Sequence, residues 1–336
     1  MVMGLKRVVV TGGCGFIGCN FIRNYIDQYK ILNIDKLTYA ANPQYLADLK
    51  DHPNYSFEKL DVAQVVTVAK LLEEFEPDCI VHLAAESHVD NSIAAPGTFI
   101  STNVLGTYFL LEAALSYWKS KKKPEDFRFV YISTDEVYGA LSDDDSKFSI
   151  SDPFLPNSPY AASKAAGDHF VRSWHKTYGL PTITTHCSNN YGPYQFKEKF
   201  IPVVIENAAK IKTIPVYGDG SNIRDWIHVD DHCEGIQKAM EHGIPGSIYN
   251  FGGDCEISNF NLACMICDII HDKLDVKNTP NIRKEQITFT TDRLGHDFRY
   301  AVDYQQANDS LGFEPRTNFT ESLKDTVDWY LKEIGK

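Results

Sequence analysis

The chain has 336 residues, 43% of them hydrophobic, more than one small core needs, so two domains or one large α/β domain with an appendage are expected. Its 33 basic and 45 acidic side chains leave a formal net charge of −12, which repels phosphate backbones and argues against a nucleic-acid partner. No run reaches the roughly 20 apolar residues of a spanning helix, and "MVMGLKRVVVTGG" enters a strand directly, so the expectation is a soluble cytoplasmic protein with no membrane partner.

The first half alternates short β-branched runs with amphipathic helical stretches: "RVVVTGG", "FIGCNFIRNYIDQYK", "KILNIDK", "YSFEKLD", "VAKLLEEFEP", "DCIVHLAA", "TNVLGTYFLLEAALSYW" and "FRFVYIST". That rhythm predicts βαβ units and an α/β fold built on a Rossmann-type doubly wound parallel sheet. A helix is expected from Pro159 to about Tyr178, then the strand "LPTITTHC". Beyond "NNYGP" the pattern loosens into short strands such as "IPVYG" and "SIYNFGG" with further helices. The expected organisation is a dinucleotide-binding domain over 1–188, completed by about 224–252, and a smaller C-terminal α/β substrate domain over 189–223 and 253–336.

In the first of these units, "VVVTGGCGFIG" places glycines at 12, 13, 15 and 18 after a strand and at the opening of a helix. Missing side chains there let backbone amides and the helix N-terminus approach a pyrophosphate, making Gly12, Gly15, Phe16, Ile17 and Gly18 candidate cofactor contacts. Asp35 ends the second strand, where a carboxylate accepts hydrogen bonds from an adenosine ribose and repels a 2′-phosphate; it favours NAD over NADP, with Lys36 beside it pulling the other way. Asp61 and Val62 follow the third strand, within reach of an adenine edge, and Ala84 in "HLAAES" ends the fourth with a side chain small enough for a dinucleotide to pass. A glycine-rich turn without a ligand is the plainer alternative.

Further along, "STDEVYG" sets Asp135 beside Glu136 directly after a strand, "SDDDSK" reads as a solvated loop, and "SPYAASKAAGDHF" puts Tyr160 and Lys164 four apart on one helix face. An ammonium near a phenol favours the phenolate and lowers its pKa toward that of a usable base. Tyr117 and Lys121 share the spacing and are read as structural. The eight cysteines are expected as reduced core thiols; Cys264 and Cys267 form a lone CxxC, and no metal site is expected.

Glycine-rich turn, Ser/Thr at a strand end and YxxxK, in that order, resemble the extended short-chain dehydrogenase/reductases acting on nucleotide sugars. The segments "HLAAESHVDNSI", "STDEVYG", "SPYAASKA", "SNNYGPYQFKEKFIP", "VYGDGSNIRDWIHVDDH" and "DRLGHDFRYAVD" are similar to those of the nucleotide-diphosphate-glucose 4,6-dehydratases, over nearly the whole chain. In that family, nucleotide-sugar decarboxylases and GDP-mannose dehydratases commonly carry Thr-Ser-Glu and epimerases generally lack the acid pair, so the resemblance makes Asp135 favour the glucose-nucleotide dehydratases over these relatives. The stretch from Gly139 to Pro159 is shorter than in many bacterial dTDP-glucose enzymes, which bears on the substrate more than on the chemistry.

The resemblance implies a dTDP-glucose or UDP-glucose substrate, a tightly bound NAD regenerated in each cycle, and a 4-keto-6-deoxy product for deoxysugar pathways such as that of rhamnose. It assigns Thr134 to the C4 hydroxyl, Tyr160 to its proton, Lys164 to the nicotinamide ribose, Glu136 to the C5 proton and Asp135 to the departing C6 oxygen. Strict strand alternation would send the two acids to opposite faces, so the chain is expected to leave the strand at Thr134. Arg224 and Arg293 are candidate diphosphate clamps, joined by similarity, around the diphosphate, sugar and ribose, by Asn190, Glu198, Lys199, Asn259 and His296; Ser87 and His88 are further substrate candidates, His88 either touching the sugar or capping a loop. A homodimer through the helices of "TNVLGTYFLLEAALSYW" and "SPYAASKAAGDHFVRSWHKTYG" is expected. The alternatives are a C4 epimerase or reductase of the same fold, leaving both acids idle, and a non-enzymatic NAD-binding protein.

Overall fold

The computed structural model describes residues 6–274 and 282–335. In chain order the strands are β1 (Arg7–Thr11), β2 (Lys30–Asp35), β3 (Tyr55–Lys59), β4 (Cys79–His82), β5 (Arg128–Thr134), β6 (Thr182–Cys187), β7 (Asn189–Tyr191), β8 (Ile214–Tyr217), β9 (Ile223–His228), β10 (Ile248–Phe251), β11 (Glu256–Ser258), β12 (Ile287–Thr290) and β13 (Arg299–Tyr300). The helices are α1 (Phe16–Tyr25), α2 (Val65–Phe75), α3 (Val89–Ala94), α4 (Pro96–Phe99), α5 (Thr107–Ser120), α6 (Pro159–Tyr178), α7 (Phe200–Ala209), α8 (Val229–His242), α9 (Asn259–Leu274), α10 (Gln305–Leu311) and α11 (Phe319–Glu333).

Seven strands pair in parallel in the order β10-β6-β5-β4-β1-β2-β3. Helices cover both faces, so the central strands lose the polar alternation of a one-sided sheet: Val8, Val9 and Val10 are all fully buried. Val9, Leu72, Leu110, Phe129 and Trp174 build the core under α2, α5 and α6. Val8, Ile22, Ile236, Phe251 and Phe313 build the opposite one under α1 and α8. A third core joins α7, α9 and α11, through Val204, Ile266 and Leu323, beside a small sheet in which β9 pairs with β7, β11 and β13. Within 253–336 the chain returns once to the large sheet, where Ala307 and Leu311 of α10 pack in the core of α1 and α8. Apolar spacing along so short a helix does not say which core it serves.

Helix α6 is stopped at both ends by local chemistry. Ser158 accepts the Ala161 N–H at 3.0 Å, Pro159 follows at the first helical position, and Gly179 closes the helix at φ 77° with its N–H on the His175 carbonyl. Such an N-cap contributes about 1 kcal/mol. Between α4 and α5, residues Ile100–Gly106 wind as a π-helix, and the consecutive residues Thr102 and Asn103 are both buried.

Cys264 and Cys267 lie on α9, all eight cysteines are free, and among the described residues no group of His, Cys, Asp or Glu is arranged to hold a metal. Tyr117 donates to the Pro77 carbonyl and Lys121 pairs with Glu73 and Glu76, away from the cleft described below. The "SDDDSK" loop is strapped by Arg299, which donates to the Ser142 and Asp145 carbonyls. Among the described residues no helix is long and apolar enough to cross a membrane.

Candidate active site

The strand order reverses at β1, and the carboxyl ends of β1, β2, β4, β5 and β6 open onto one cleft. This is where an open parallel sheet leaves a crevice between diverging loops. The glycines at its floor do different work. Gly12 sits at φ 74°, and a Cβ on it would meet the Ala84 backbone at 2.7 Å. One on Gly18 would meet the Gly12 carbonyl at 2.4 Å, so Gly18 lets α1 close on the turn. At Gly15 the nearest atom to an added Cβ is the Gly12 carbonyl at 3.2 Å, with nothing else inside 4 Å; the side chain would project into the cleft. A bare backbone at a helix start, facing open space, fits the pyrophosphate of a dinucleotide.

Asp35 accepts the Cys14 and Leu37 N–H groups at 3.0 and 2.7 Å, which fixes its carboxyl at the cleft edge. Lys36 is directed elsewhere: Nζ donates to Thr102 Oγ1 at 2.8 Å and lies 3.6 Å from Asp61, whose other oxygen caps the Ala63 N–H. The charge that could have welcomed a 2′-phosphate is thus already engaged. Val62 and Ala84 line the same wall, and the Ala84 N–H donates to Thr11 Oγ1 at 3.3 Å.

β5 ends at Thr134, and Asp135–Tyr138 wind at once into a 3₁₀ turn capped by the Thr134 hydroxyl, which accepts the Glu136 N–H at 3.3 Å. Leaving the pleat there brings both Asp135 and Glu136 to the cleft. Thr134 Oγ1 also donates to Asp135 Oδ1 at 3.2 Å, while Asp135 Oδ2 is buried without a partner. Burial, then Glu136 and Asp225, push the Asp135 carboxyl well above the usual carboxylate range. Glu136 is also raised by burial, but Arg224, Lys199 and Arg293 oppose the shift. Two neighbouring acids thereby acquire different tendencies to hold a proton.

Tyr160 and Lys164 face the same cleft from α6. The Lys164 ammonium donates to the Ile132 carbonyl at 2.7 Å and stands 4.1 Å over the Tyr131 ring. The expected lowering of the Tyr160 pKa is not what the arrangement gives: burial and the neighbouring Glu136 push the phenol up, and the Thr134 hydroxyl eases it. Burial dominates because the phenol is nine-tenths enclosed.

The substrate candidates divide into two groups. Ser87, His88, Asn190 and Lys199 line the cleft, Lys199 Nζ donating to the Ser87 carbonyl at 2.8 Å. Asn190 is held by the Ser188 carbonyl and by His232, and Glu198 lies 3.9 Å from His88. Arg293 is paired with Asp90, His296 with Asp292, and Asn259 opens α9 with its N–H on the Asn222 carbonyl. Arg224 differs from the expected free fork: it is buried against the Tyr300 ring and donates to the carbonyls of Ile223, Asp297 and Phe298. Its charge still reaches Glu136 and Asp135.

The family model described as GDP-mannose 4,6 dehydratase matches residues 9–326. A dTDP-glucose 4,6-dehydratase of Escherichia coli (strain K12) is 46% identical over 337 residues, covering 97% of this chain and 92% of that protein. Among solved structures, DesIV, a dTDP-glucose 4,6-dehydratase from Streptomyces venezuelae with NAD bound, superposes with a TM-score of 0.89 at 40% identity over 98% of each chain. The dTDP-glucose 4,6-dehydratase of Bacillus anthracis in complex with NAD gives 0.86 at 39% identity, again over 98% of each. The chain belongs to the nucleotide-sugar 4,6-dehydratases of the extended short-chain dehydrogenase/reductases.

Several residues that this dehydratase brings to or behind its cleft escape sequence reasoning. Tyr39, on the loop after β2, meets Phe196 edge-on at 5.6 Å, and both line the opening. Cys187 lines the floor at the end of β6. Asn103, inside the π-helix, accepts the Glu86 N–H at 2.8 Å and donates to the Glu86 carbonyl and to Ser163 Oγ at 3.0 and 2.8 Å. It ties the loop after β4 to the helix that carries Tyr160 and Lys164. The sequence held a signal for Phe196, inside "NNYGPYQF", and for Cys187, at the end of the expected strand "LPTITTHC"; Tyr39 and Asn103 depend on how distant segments pack.

Proposed function

We propose that the protein is a dTDP-glucose 4,6-dehydratase, converting dTDP-glucose to dTDP-4-keto-6-deoxy-glucose and water for deoxysugar formation. The observation that carries this is the strand exit at Thr134, with Asp135 and Glu136 lining one cleft with Tyr160 and Lys164. An epimerase or reductase has no task for two acids of unlike proton affinity. The Gly12–Gly18 turn, Asp35 and Lys164 would hold NAD, which would supply the hydride acceptor for oxidation at C4 and, once reduced, the hydride donor for C6.

Tyr160, whose phenol burial pushes up, would be drawn toward the phenolate by the Lys164 ammonium and by the positive nicotinamide of bound NAD, and then accepts the C4 hydroxyl proton while the Thr134 hydroxyl orients that group. The ketone so formed acidifies C5, and Glu136, kept toward its carboxylate by Arg224, Lys199 and Arg293, removes the C5 proton. Asp135, whose burial favours the protonated acid, hands its proton to the C6 oxygen, which leaves as water. Glu136 returns its proton to C5, and the proton taken by Tyr160 replaces the one lost from Asp135. Arg293 grips the diphosphate, and the nucleoside lies toward Asn190 and Lys199. The chain works as a homodimer through α5, α6 and the π-helix between α4 and α5, a reading supported by the exposure of Ile100, Leu105 and Tyr178. The domain reading assigns 1–188, completed by about 224–252, to the cofactor and the remainder to the nucleotide sugar.

The test is mass spectrometry of dTDP-glucose and UDP-glucose incubated separately with the purified protein. Loss of one water from dTDP-glucose is expected; an unchanged mass with NAD supplied would sink the reading, and preferential dehydration of UDP-glucose would correct the nucleoside.

A further inference from the structure

β7 is a short strand held parallel to β9, and the chain passes from β9 directly into α8. That route brings His232, in the first turn of α8, against Asn190 at the middle of β7. Asn190 lines the cleft, and the two ends of its amide are told apart by what they meet. One end lies 3.0 Å from the Ser188 carbonyl, which can only accept, so that end is Nδ2. The other is therefore Oδ1, and it stands 2.8 Å from Nδ1 of His232. An amide oxygen also only accepts, so Nδ1 carries the ring proton. The imidazole is fully buried, which lowers its pKa to about 3 and leaves it neutral with a single N–H. Nε2 is then a bare lone pair, buried with no hydrogen-bond partner among the described residues.

We propose that His232 is a positioning residue for the substrate, its Nδ1–H fixing the Asn190 amide so that the second Nδ2 hydrogen is presented to an acceptor oxygen of the nucleotide. That hydrogen has no oxygen acceptor among the described residues; beside it on the cleft wall stands the Cys187 thiol, whose sulfur is a weak acceptor. The Asn190 backbone is fixed separately. Its carbonyl accepts Gln195 Nε2 at 2.9 Å, and the Tyr330 hydroxyl donates to the Gln195 carbonyl at 2.6 Å. Held by the Ser188 carbonyl alone, the amide could still turn about its last torsion, and the imidazole removes that freedom. Packing does not account for a histidine at this place. The ring lies 6.1 Å from that of Phe251, in the core under α1 and α8, where a leucine would bury as well and leave no lone pair unsatisfied. The one hydrogen bond the ring makes is the one to Asn190.

The inference rests on the dehydratase reading and names what orders one of its nucleotide contacts. His232→Leu is expected to raise the KM for dTDP-glucose and the Kd for dTDP by about tenfold, with little change in kcat, bound NAD or melting temperature. His232→Asn, whose amide nitrogen takes the place of Nδ1, should restore most of the parent KM; His232→Gln, whose nitrogen falls near Nε2, should not. In an Asn190→Ala background, His232→Leu should raise KM no further, because its effect passes through that amide. A folded His232→Leu protein with the parent KM and Kd, or one whose effect persists undiminished without the Asn190 amide, overturns the inference. Should His232→Leu not fold, the two amide variants decide: a KM raised in His232→Gln and not in His232→Asn supports the role, and equal values overturn it. If the unaltered protein dehydrates no nucleotide sugar, the dehydratase reading fails by itself, and the Kd for dTDP across the variants, measured by titration calorimetry, still decides for or against His232.

Discussion

Arg293 donates from Nε and Nη2 to the two carboxylate oxygens of Asp90, at 2.6 and 3.0 Å, across 203 residues of sequence. The guanidinium lies 5.0 Å from the Tyr217 ring, and the Tyr217 hydroxyl reaches the same carboxylate at 3.3 Å. Asp90 therefore fills the Nε–Nη2 edge and fixes the guanidinium, leaving the Nη1–Nη2 edge as the fork that a diphosphate would meet. Arg293→Ala is expected to raise the KM for dTDP-glucose by about ten- to a hundredfold, with NAD retention unchanged. Steady-state kinetics with quantified bound NAD checks both; an unchanged KM would remove Arg293 from the substrate site.

The unlike environments of the two acids predict unlike defects. Asp135→Asn and Glu136→Gln should each lower overall turnover by about a hundredfold or more while leaving C4 oxidation possible, because neither touches the C4 hydroxyl proton. Reduced nicotinamide should then accumulate in single-turnover absorbance traces. In Glu136→Gln, C5 should also fail to exchange with deuterated solvent. Retained solvent exchange in that variant would show that another group removes the C5 proton.

Gly15 and Gly18 should respond in opposite ways to the same added methyl. Gly15→Ala places a Cβ in the cleft and should weaken NAD retention with little loss of melting temperature. Gly18→Ala drives a Cβ into the Gly12 carbonyl and should cost about 1–3 kcal/mol of stability. Thermal melting beside bound-NAD analysis separates the two effects.

His82 bridges Thr11 Oγ1 at 2.7 Å and Thr107 Oγ1 at 3.0 Å, and full burial lowers its pKa from 6.5 to about 3. Between those two values the unfolded chain binds a proton that the folded chain refuses, so stability contributed by the neutral ring is full above 6.5 and lost as pH falls toward 3. The loss is on the order of 3–5 kcal/mol. The melting advantage of the parent over His82→Asn should shrink steadily across that window; a constant difference would mean that the ring is not protonated on unfolding.

The glycine turn, Asp35 and the Tyr160–Lys164 spacing are readable in sequence because each is local: a turn, a strand end, one helix face. The exit at Thr134 is readable because the pleat forbids two adjacent side chains from sharing a face. What stays hidden depends on distant partners. Arg224 looks like a free fork until the carbonyls of Asp297 and Phe298 claim its donors. Asn103 looks like one polar residue in an apolar helix until Glu86 and Ser163 arrive beside it. The Tyr160 phenol looks easy to ionise until burial is known, and burial is a property of the whole fold.

The π-helical turn at Ile100–Gly106 amounts to one residue of slack wound into the chain. That slack lets two consecutive side chains serve separate clients: Thr102 holds Lys36 at the cofactor rim, and Asn103 holds the loop after β4 against α6. Remove a single residue there and ordinary α-winding would swing everything upstream by about 100°, unfastening both clients while leaving every catalytic side chain in the sequence. An insertion or deletion at this point would therefore mimic an active-site mutation from outside the active site.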